Sequence, residues 1–191
     1  MASDYYAFLS RMKNIYRWGL MRNTRNESLS EHSMEVALIA HALGVIARVR
    51  LQKEIDPNLC AAAALFHDTS EILTGDMPTP IKYYNPEIRD AYKKVERVAE
   101  DKLLSMLPED LQSAYVPLYR PSPEVHALVK AADRICAYIK CVEETEMGNR
   151  EFSAAKQSIL DDILSSPLPE VKIFMEEYAG GYGKTLDETG L

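Results

Sequence analysis

Leu65-Phe66-His67-Asp68-Thr69-Ser70-Glu71 is the stretch on which the reading of this chain turns. It closes an apolar run from Cys60 to Phe66, and a histidine followed directly by an aspartate is out of place at the end of a core-forming segment. A buried neutral polar group without a partner costs roughly 2–7 kcal/mol, and a charge more, so this imidazole and carboxylate need company. A cation would satisfy both. Glu71 follows Asp68 by three residues and His67 by four, so on a helix of about 3.6 residues per turn it projects from the same face. The segment therefore predicts a helix carrying groups able to bind a metal or move a proton.

Working outward, Asp56-Pro57 supplies a cap with proline at the first helical position and Gly75 a stop, so this helix is expected over about residues 57–73. Its Ala61 to Ala64 would let a neighbour approach closely, and the proline-rich loop from Gly75 to Lys82 would overhang its His-Asp end. Upstream, Ser28-Leu29-Ser30-Glu31 matches a capping box and starts a helix to about Arg48. His32 falls in its first turn, and Val36, Ile39, Leu43 and Ile46 continue its line, so the imidazole points along the buried face. His41 is off that line and reads as partly buried and structural.

Downstream, Asn85-Pro86 opens a helix with Ile88, Tyr92, Val95, Ala99 and Leu103 at inward spacing, and Pro108 to Pro121 reads as a shorter, broken segment. Ser122-Pro123-Glu124 caps a long helix to about Met147, with Val125, Val129, Ala132, Cys136 and Ile139 inward and Asp133 beside that stripe. Helices over about 151–165 and from Pro169 to about Ala179 follow, a short one spans 4–13, and residues 180–191 read as a mobile tail. No period-2 alternation marks a strand. The expectation is an all-α, single-domain helical bundle spanning residues 1–191, with its core over about 5–179.

Composition narrows the function. The chain has 191 residues, 47% of them hydrophobic, enough for one sizeable core. Net charge is −7, and the 22 Lys and Arg are interspersed with acids, which disfavours a nucleic-acid polymer or an anionic membrane as partner. A small anionic substrate needs only one or two local cations. Cys60, Cys136 and Cys141 sit in apolar helical patterns without a CxxC or a secretory signal, so reduced core thiols in a cytoplasmic protein are expected. No apolar run is read as approaching the ~20 residues that span a bilayer, so no membrane is expected.

His32, His67 with Asp68, and Asp133 thus lie on or beside core-facing stripes of three separate helices. Two imidazoles and two carboxylates suit a first-row divalent ion such as Mn²⁺, Co²⁺, Fe²⁺ or Zn²⁺ and leave room for water; a closed structural zinc would want thiolates. Arg17 stands beside the chain's one tryptophan, Trp18, in a loop. Taken alone, the pair reads as an aromatic plug beside a surface arginine, whose planar fork would also match two phosphate oxygens.

The order His, then His-Asp, then Asp, each on its own helix, resembles the HD-domain metal-dependent phosphohydrolases. Arg17-Trp18 with Leu20-Met21-Arg22-Asn23, Ser30-Glu31-His32-Ser33, His67-Asp68-Thr69-Ser70-Glu71, Thr74-Gly75-Asp76-Met77-Pro78-Thr79-Pro80 and Lys130-Ala131-Ala132-Asp133 further resemble the blocks of the bacterial YfbR-type 5′-deoxynucleotidases. The resemblance implies one divalent ion, such as Co²⁺ or Mn²⁺, held by His32, His67, Asp68 and Asp133, with Glu71 as acid/base near the attacking water. It also implies Arg17 on the 5′-phosphate and Trp18 against the sugar, disfavouring a 2′-hydroxyl. Asp76, Met77, Pro78 and Thr79 would hold the deoxyribose from the other side, with Asp76 accepting from its 3′-hydroxyl, and His32 and Asp68 would border the substrate. Gly19 and Met77 depart from the subgroup's proline and leucine.

The implied reaction is hydrolysis of deoxyribonucleoside 5′-monophosphates to deoxyribonucleosides and phosphate by a homodimer. A phosphate monoester dianion repels hydroxide, and a divalent ion answers this as a Lewis acid that also makes water more acidic. A phosphodiesterase or triphosphohydrolase of the same fold would need more cations than Arg17, Arg22 and Lys82. A non-catalytic nucleotide-binding scaffold would not need Glu71 and all four ligand positions intact.

Overall fold

A computed structural model describes residues 3–82 and 84–190, without the side chains of Thr79 and Pro80. Its helices are α1 (Tyr5–Leu9), α2 (Leu29–Arg50), α3 (Pro57–Phe66), α4 (Glu71–Thr74), α5 (Thr79–Lys82), α6 (Pro86–Ser105), α7 (Glu109–Tyr119), α8 (Pro123–Glu146), α9 (Ser153–Leu164) and α10 (Pro169–Glu177). Among the described residues the one β pairing is an isolated antiparallel bridge between Tyr16 and Ser28. The all-α expectation holds.

Local chemistry starts these helices where the sequence says it should. Ser28 caps α2 in a complete capping box, and the side chains of Asp56, Asn85 and Ser122 accept amides at the starts of α3, α6 and α8. α2 runs through the middle of the bundle against α3, α8 and α10. Val36, Ile39, Leu43 and Ile46 meet Val125, Val129, Ala132, Cys136 and Ile139 of α8 in one core. At the α2–α3 crossing a Cβ on Gly44 would lie 2.9 Å from Pro57 Cα, so the backbones approach as closely as glycine allows. A second core gathers Tyr5, Leu103, Leu104 and Leu107 with Phe66, Tyr115 and Tyr119 under the end of α3.

Several expectations need correction. The helix of the His-Asp stretch stops at Phe66 instead of running to 73. His67 Nδ1 donates to the Ala64 carbonyl at 2.7 Å and Thr69 Oγ1 to that of Phe66 at 2.8 Å. The amides of Thr69 and Glu71 turn back by three residues, so side chains and tight turns take the carbonyls that would have continued the helix. Glu71 then opens the one-turn α4, which Gly75 ends at φ 74°. The N-terminal helix gives way to a 3₁₀ turn from Ser10 to Asn14. The loop after Gly75 closes with one helical turn, α5, whose one proline, Pro80, sits in its first turn where no amide hydrogen is required. Residues 109–119 form one helix through Pro117, with Tyr115 and Tyr119 packed on Phe66. On α6 only Tyr92, Ala99 and Leu103 of the expected stripe are buried; Ile88 and Val95 are exposed because α6 lies outside, against α4 and α7. His41 is exposed rather than partly buried.

By length and composition α2 is apolar enough to cross a membrane, contrary to the expectation that no segment is, and 56% of that window is buried inside the bundle. All three cysteines are free thiols and buried.

The loop that carries Arg17 and Trp18 is tied to α8 by Glu144. This fully buried carboxylate accepts from the Thr24 amide and hydroxyl, the Arg25 amide, Asn149 Nδ2 and Lys140 Nζ, the last at 2.5 Å. Burial alone would raise its pKa, but Lys140, Thr24 and Asn149 together hold it well below the usual carboxylate range. A carboxylate depressed on folding stabilises the fold fully above its unfolded pKa of about 4.3 and loses that contribution progressively as pH falls from there through its lower folded pKa. Glu144→Gln, which strands the Lys140 ammonium, is expected to cost about 3 kcal/mol at pH 7 and less at pH 4. Thermal melts of both proteins at the two pH values read the difference.

Candidate active site

The site forms where the start of α2, the turn after α3 and the middle of α8 meet. His32 is fully buried, His67 and Asp68 are half-buried, and ligand atoms from these three residues lie within 4.8 Å of one another. Asp133 joins from α8 through His32, its Oδ1 standing 3.0 Å from His32 Nε2. Asp68 Oδ2 is 3.1 Å from His67 Nε2 and 3.7 Å from His32 Nε2. Arg17 Nη1 bonds Asp68 Oδ2 at 3.0 Å, and its Nη2 lies 3.7 Å from Asp133 Oδ1. The sequence-predicted quartet and Arg17 are therefore neighbours in space.

Electrostatics follow from this crowding. Burial and the Arg17 charge would lower His32, but Asp133 and Glu27 outweigh them and carry it up to about 9. Burial would raise Asp68, yet His67, Arg17 and His32 hold it well below the usual range; Asp133 is likewise brought down to about 2, chiefly by His32. Both carboxylates are anionic at neutral pH.

A metal fits this donor set. His67 Nδ1 is used on the Ala64 carbonyl, which fixes the hydrogen there and leaves the buried Nε2 without a hydrogen-bond partner, facing Asp68. Metal-ligating histidines are oriented this way. The nitrogen and oxygen atoms that face inward, with no thiolate among them, are those of a first-row divalent ion.

Glu71 is buried beside the cluster, and its Oε2 also has no partner. Burial first, then Asp68 and Asp76, push its carboxyl up to about 9, against the pull of Arg17 and Lys82. Asp76 lies in the field of Arg17, Asp68 and His32 and is raised by burial. Met77 and Pro78 are half-buried in the same loop, whereas the Thr79 side chain falls outside the described residues. The Trp18 backbone bonds Asp76, and its ring centroid lies 5.3 Å from that of Phe152. Arg22, counted from sequence among the pocket cations, instead points to solvent and pairs with Glu151 at 2.5 Å. Lys82 is held at 2.8 Å by Glu96.

One participant is absent from the sequence reading. Glu27 is buried with its carboxylate among His32, Trp18 and Arg17. It precedes a helix cap in a polar loop and lies on no periodic face, so nothing in the sequence marks it.

Comparison with known proteins gives the family. The model of the YfbR-like 5′-deoxynucleotidase family matches residues 4–182. The chain is 47% identical to a 5′-deoxynucleotidase of Erwinia tasmaniensis, over 97% of this chain and 96% of that one, and 46% identical to one of Vibrio cholerae, over 97% of each. In structure it is similar to an HD-domain phosphohydrolase of Listeria innocua, with a TM-score of 0.81 and 26% identity over 94% of this chain and 88% of that one. It shares its fold with the cyanophage S-2L HD phosphohydrolase DatZ bound to dA and one catalytic Zn²⁺, at a TM-score of 0.63 and 22% identity over 92% of this chain and 96% of that one. With the clustered His32, His67, Asp68 and Asp133 and a family match along nearly its whole length, the chain belongs to the YfbR-like 5′-deoxynucleotidases of the HD-domain phosphohydrolase fold.

Proposed function

We propose that this chain releases phosphate from deoxyribonucleoside 5′-monophosphates at one divalent ion held by His32, His67, Asp68 and Asp133. The observation that carries the reading is the convergence of those side chains with Arg17 and with a buried Glu71 whose Oε2 has no partner. The curated relatives' activity and the dA and Zn²⁺ of the cyanophage protein support it. When bound, the ion acts as a Lewis acid on a phosphoryl oxygen and makes water a better nucleophile at neutral pH. Co²⁺ and Mn²⁺ suit the donors as well as Zn²⁺ does.

The residues divide the remaining work. Arg17 gives the pocket a guanidinium whose donors, now on Asp68 and Asp133, can turn to the phosphate once those carboxylates ligate a cation. Glu71 carries its proton at neutral pH; Arg17 and Lys82 pull its pKa down, and added positive charge pulls it further toward the working pH, where an acid/base is most effective. In its ionised form it takes the proton of the attacking water. Trp18 and the loop from Asp76 to Pro78 flank the space for the sugar. Trp18→Ala is expected to lower the ratio of kcat/KM for deoxy- over ribonucleoside 5′-monophosphates about tenfold, as loss of one pocket wall does. Paired assays on dAMP and AMP measure it.

Phosphate release from a panel of mono-, di- and triphosphates with metal-loaded protein tests the assignment. Release from the deoxynucleoside monophosphates alone supports it, and release only from triphosphates or diesters overturns it. Met34, Leu38, Val45 and Val49 form an exposed apolar stripe along one face of α2, which we read as the face of a homodimer. Three buried free thiols suit a reducing cytoplasm.

A further inference from the structure

We propose that Glu27 is a positioning residue that sets both halves of the site at once, one carboxylate oxygen fixing the tautomer of His32 and the other fixing the indole of Trp18. The inference rests on the reading above for the roles of those two residues. Oε1 faces His32 Nδ1 at 3.3 Å as a charge contact, that nitrogen having no aligned hydrogen bond, while Oε2 accepts from Trp18 Nε1 at 2.8 Å and lies 3.8 Å from Arg17 Nε. The Glu27 main-chain carbonyl also accepts from the Arg17 amide at 2.9 Å. One buried residue thus touches a metal-site histidine, the phosphate-side arginine and the sugar-side tryptophan.

Each contact has a physical consequence. An ionised carboxylate can only accept, so the nitrogen of His32 that faces Glu27 is the one that keeps its hydrogen. Nε2, which faces Asp68 and Asp133, is then the nitrogen free to bind a cation. Trp18 has φ 60°, in the left-handed region, a strained conformation for a residue with a Cβ that persists only where the surroundings hold it. The Glu27 bond, the Met21 amide and Asn23 Nδ2 on the Trp18 carbonyl, and the Phe152 ring do so.

Glutamine at this position separates the two roles. Its oxygen can still accept from Trp18 Nε1, but its NH₂ then faces His32 Nδ1, which must become the acceptor and send the ring hydrogen to Nε2. Alanine removes both contacts. The test is Co²⁺ titration by calorimetry together with the emission and acrylamide quenching of Trp18, the one tryptophan of the chain, in full-length wild type, Glu27→Gln and Glu27→Ala. Glu27→Gln is expected to bind Co²⁺ about 10- to 100-fold more weakly with unchanged emission. Glu27→Ala is expected to lose as much affinity and also to show red-shifted, more readily quenched emission. Wild-type Co²⁺ affinity in Glu27→Gln, or wild-type emission in Glu27→Ala, overturns the proposal; should the alanine variant not fold, the glutamine variant alone decides. Neither readout needs turnover. A wild type that binds Co²⁺ yet hydrolyses no deoxynucleoside monophosphate defeats the functional reading and leaves this one standing.

Discussion

Glu71→Gln is expected to lower kcat about 10²- to 10⁴-fold while the protein still binds its divalent ion and melts no earlier than wild type. Glu71 is not one of the four residues assigned to the ion, so the ion keeps its donors. What is lost is a group that can give and take a proton beside the reacting centre. The stability expectation follows from the sign of its shift. Burial and the nearby Asp68 and Asp76 raise Glu71 to about 9, so above its unfolded pKa of about 4.3 the chain must take up a proton when it folds, at a cost in stability. A neutral amide of the same shape bears no such cost. The contrast with Glu144→Gln is diagnostic, because there the carboxylate is depressed and its charge stabilises the fold. Steady-state kinetics, Co²⁺ titration and thermal melts on Glu71→Gln check all three parts; unchanged kcat would remove Glu71 from the chemistry.

Removing divalent ions with a chelator is expected to take phosphate release to background and to leave the fold intact. Without a cation the site still balances its own charges, since Arg17 pairs with Asp68 and both nitrogens of His32 face carboxylates. The ion-free protein should therefore give a cooperative melt. Adding Co²⁺ or Mn²⁺ at about 100 times its dissociation constant should stabilise it by about 2.7 kcal/mol, a rise of about 5–10 °C for a chain of this size, and restore activity. Activity that survives exhaustive chelation would show that the His/Asp cluster holds no ion needed for turnover.

Much of this was legible before any coordinates. Caps act within three residues, so Ser28, Asp56, Asn85 and Ser122 marked helix starts that the structure repeats. The buried lines of α2 and α8 were also readable, because periodicity reports which face is covered, and they placed His32 inside and Asp133 at its edge. What stayed hidden depends on partners far along the chain. The break after Phe66 arises because His67 and Thr69 capture carbonyls, a competition that composition does not decide. Arg22 looked like a pocket cation until its pairing with Glu151 turned it outward. Ile88 and Val95 kept helical spacing on a helix with too few neighbours to cover them. Glu27 has no pattern at all, and only the meeting of α2 with the Arg17-Trp18 loop shows its use.

The most direct measurement is anomalous diffraction from crystals grown with Co²⁺ or Mn²⁺. The account predicts one strong peak among the imidazole Nε2 atoms of His32 and His67 and the carboxylates of Asp68 and Asp133, with Glu71 beside it but not bonded. A fully occupied ion elsewhere, with those four side chains still paired to one another and to Arg17, would contradict it.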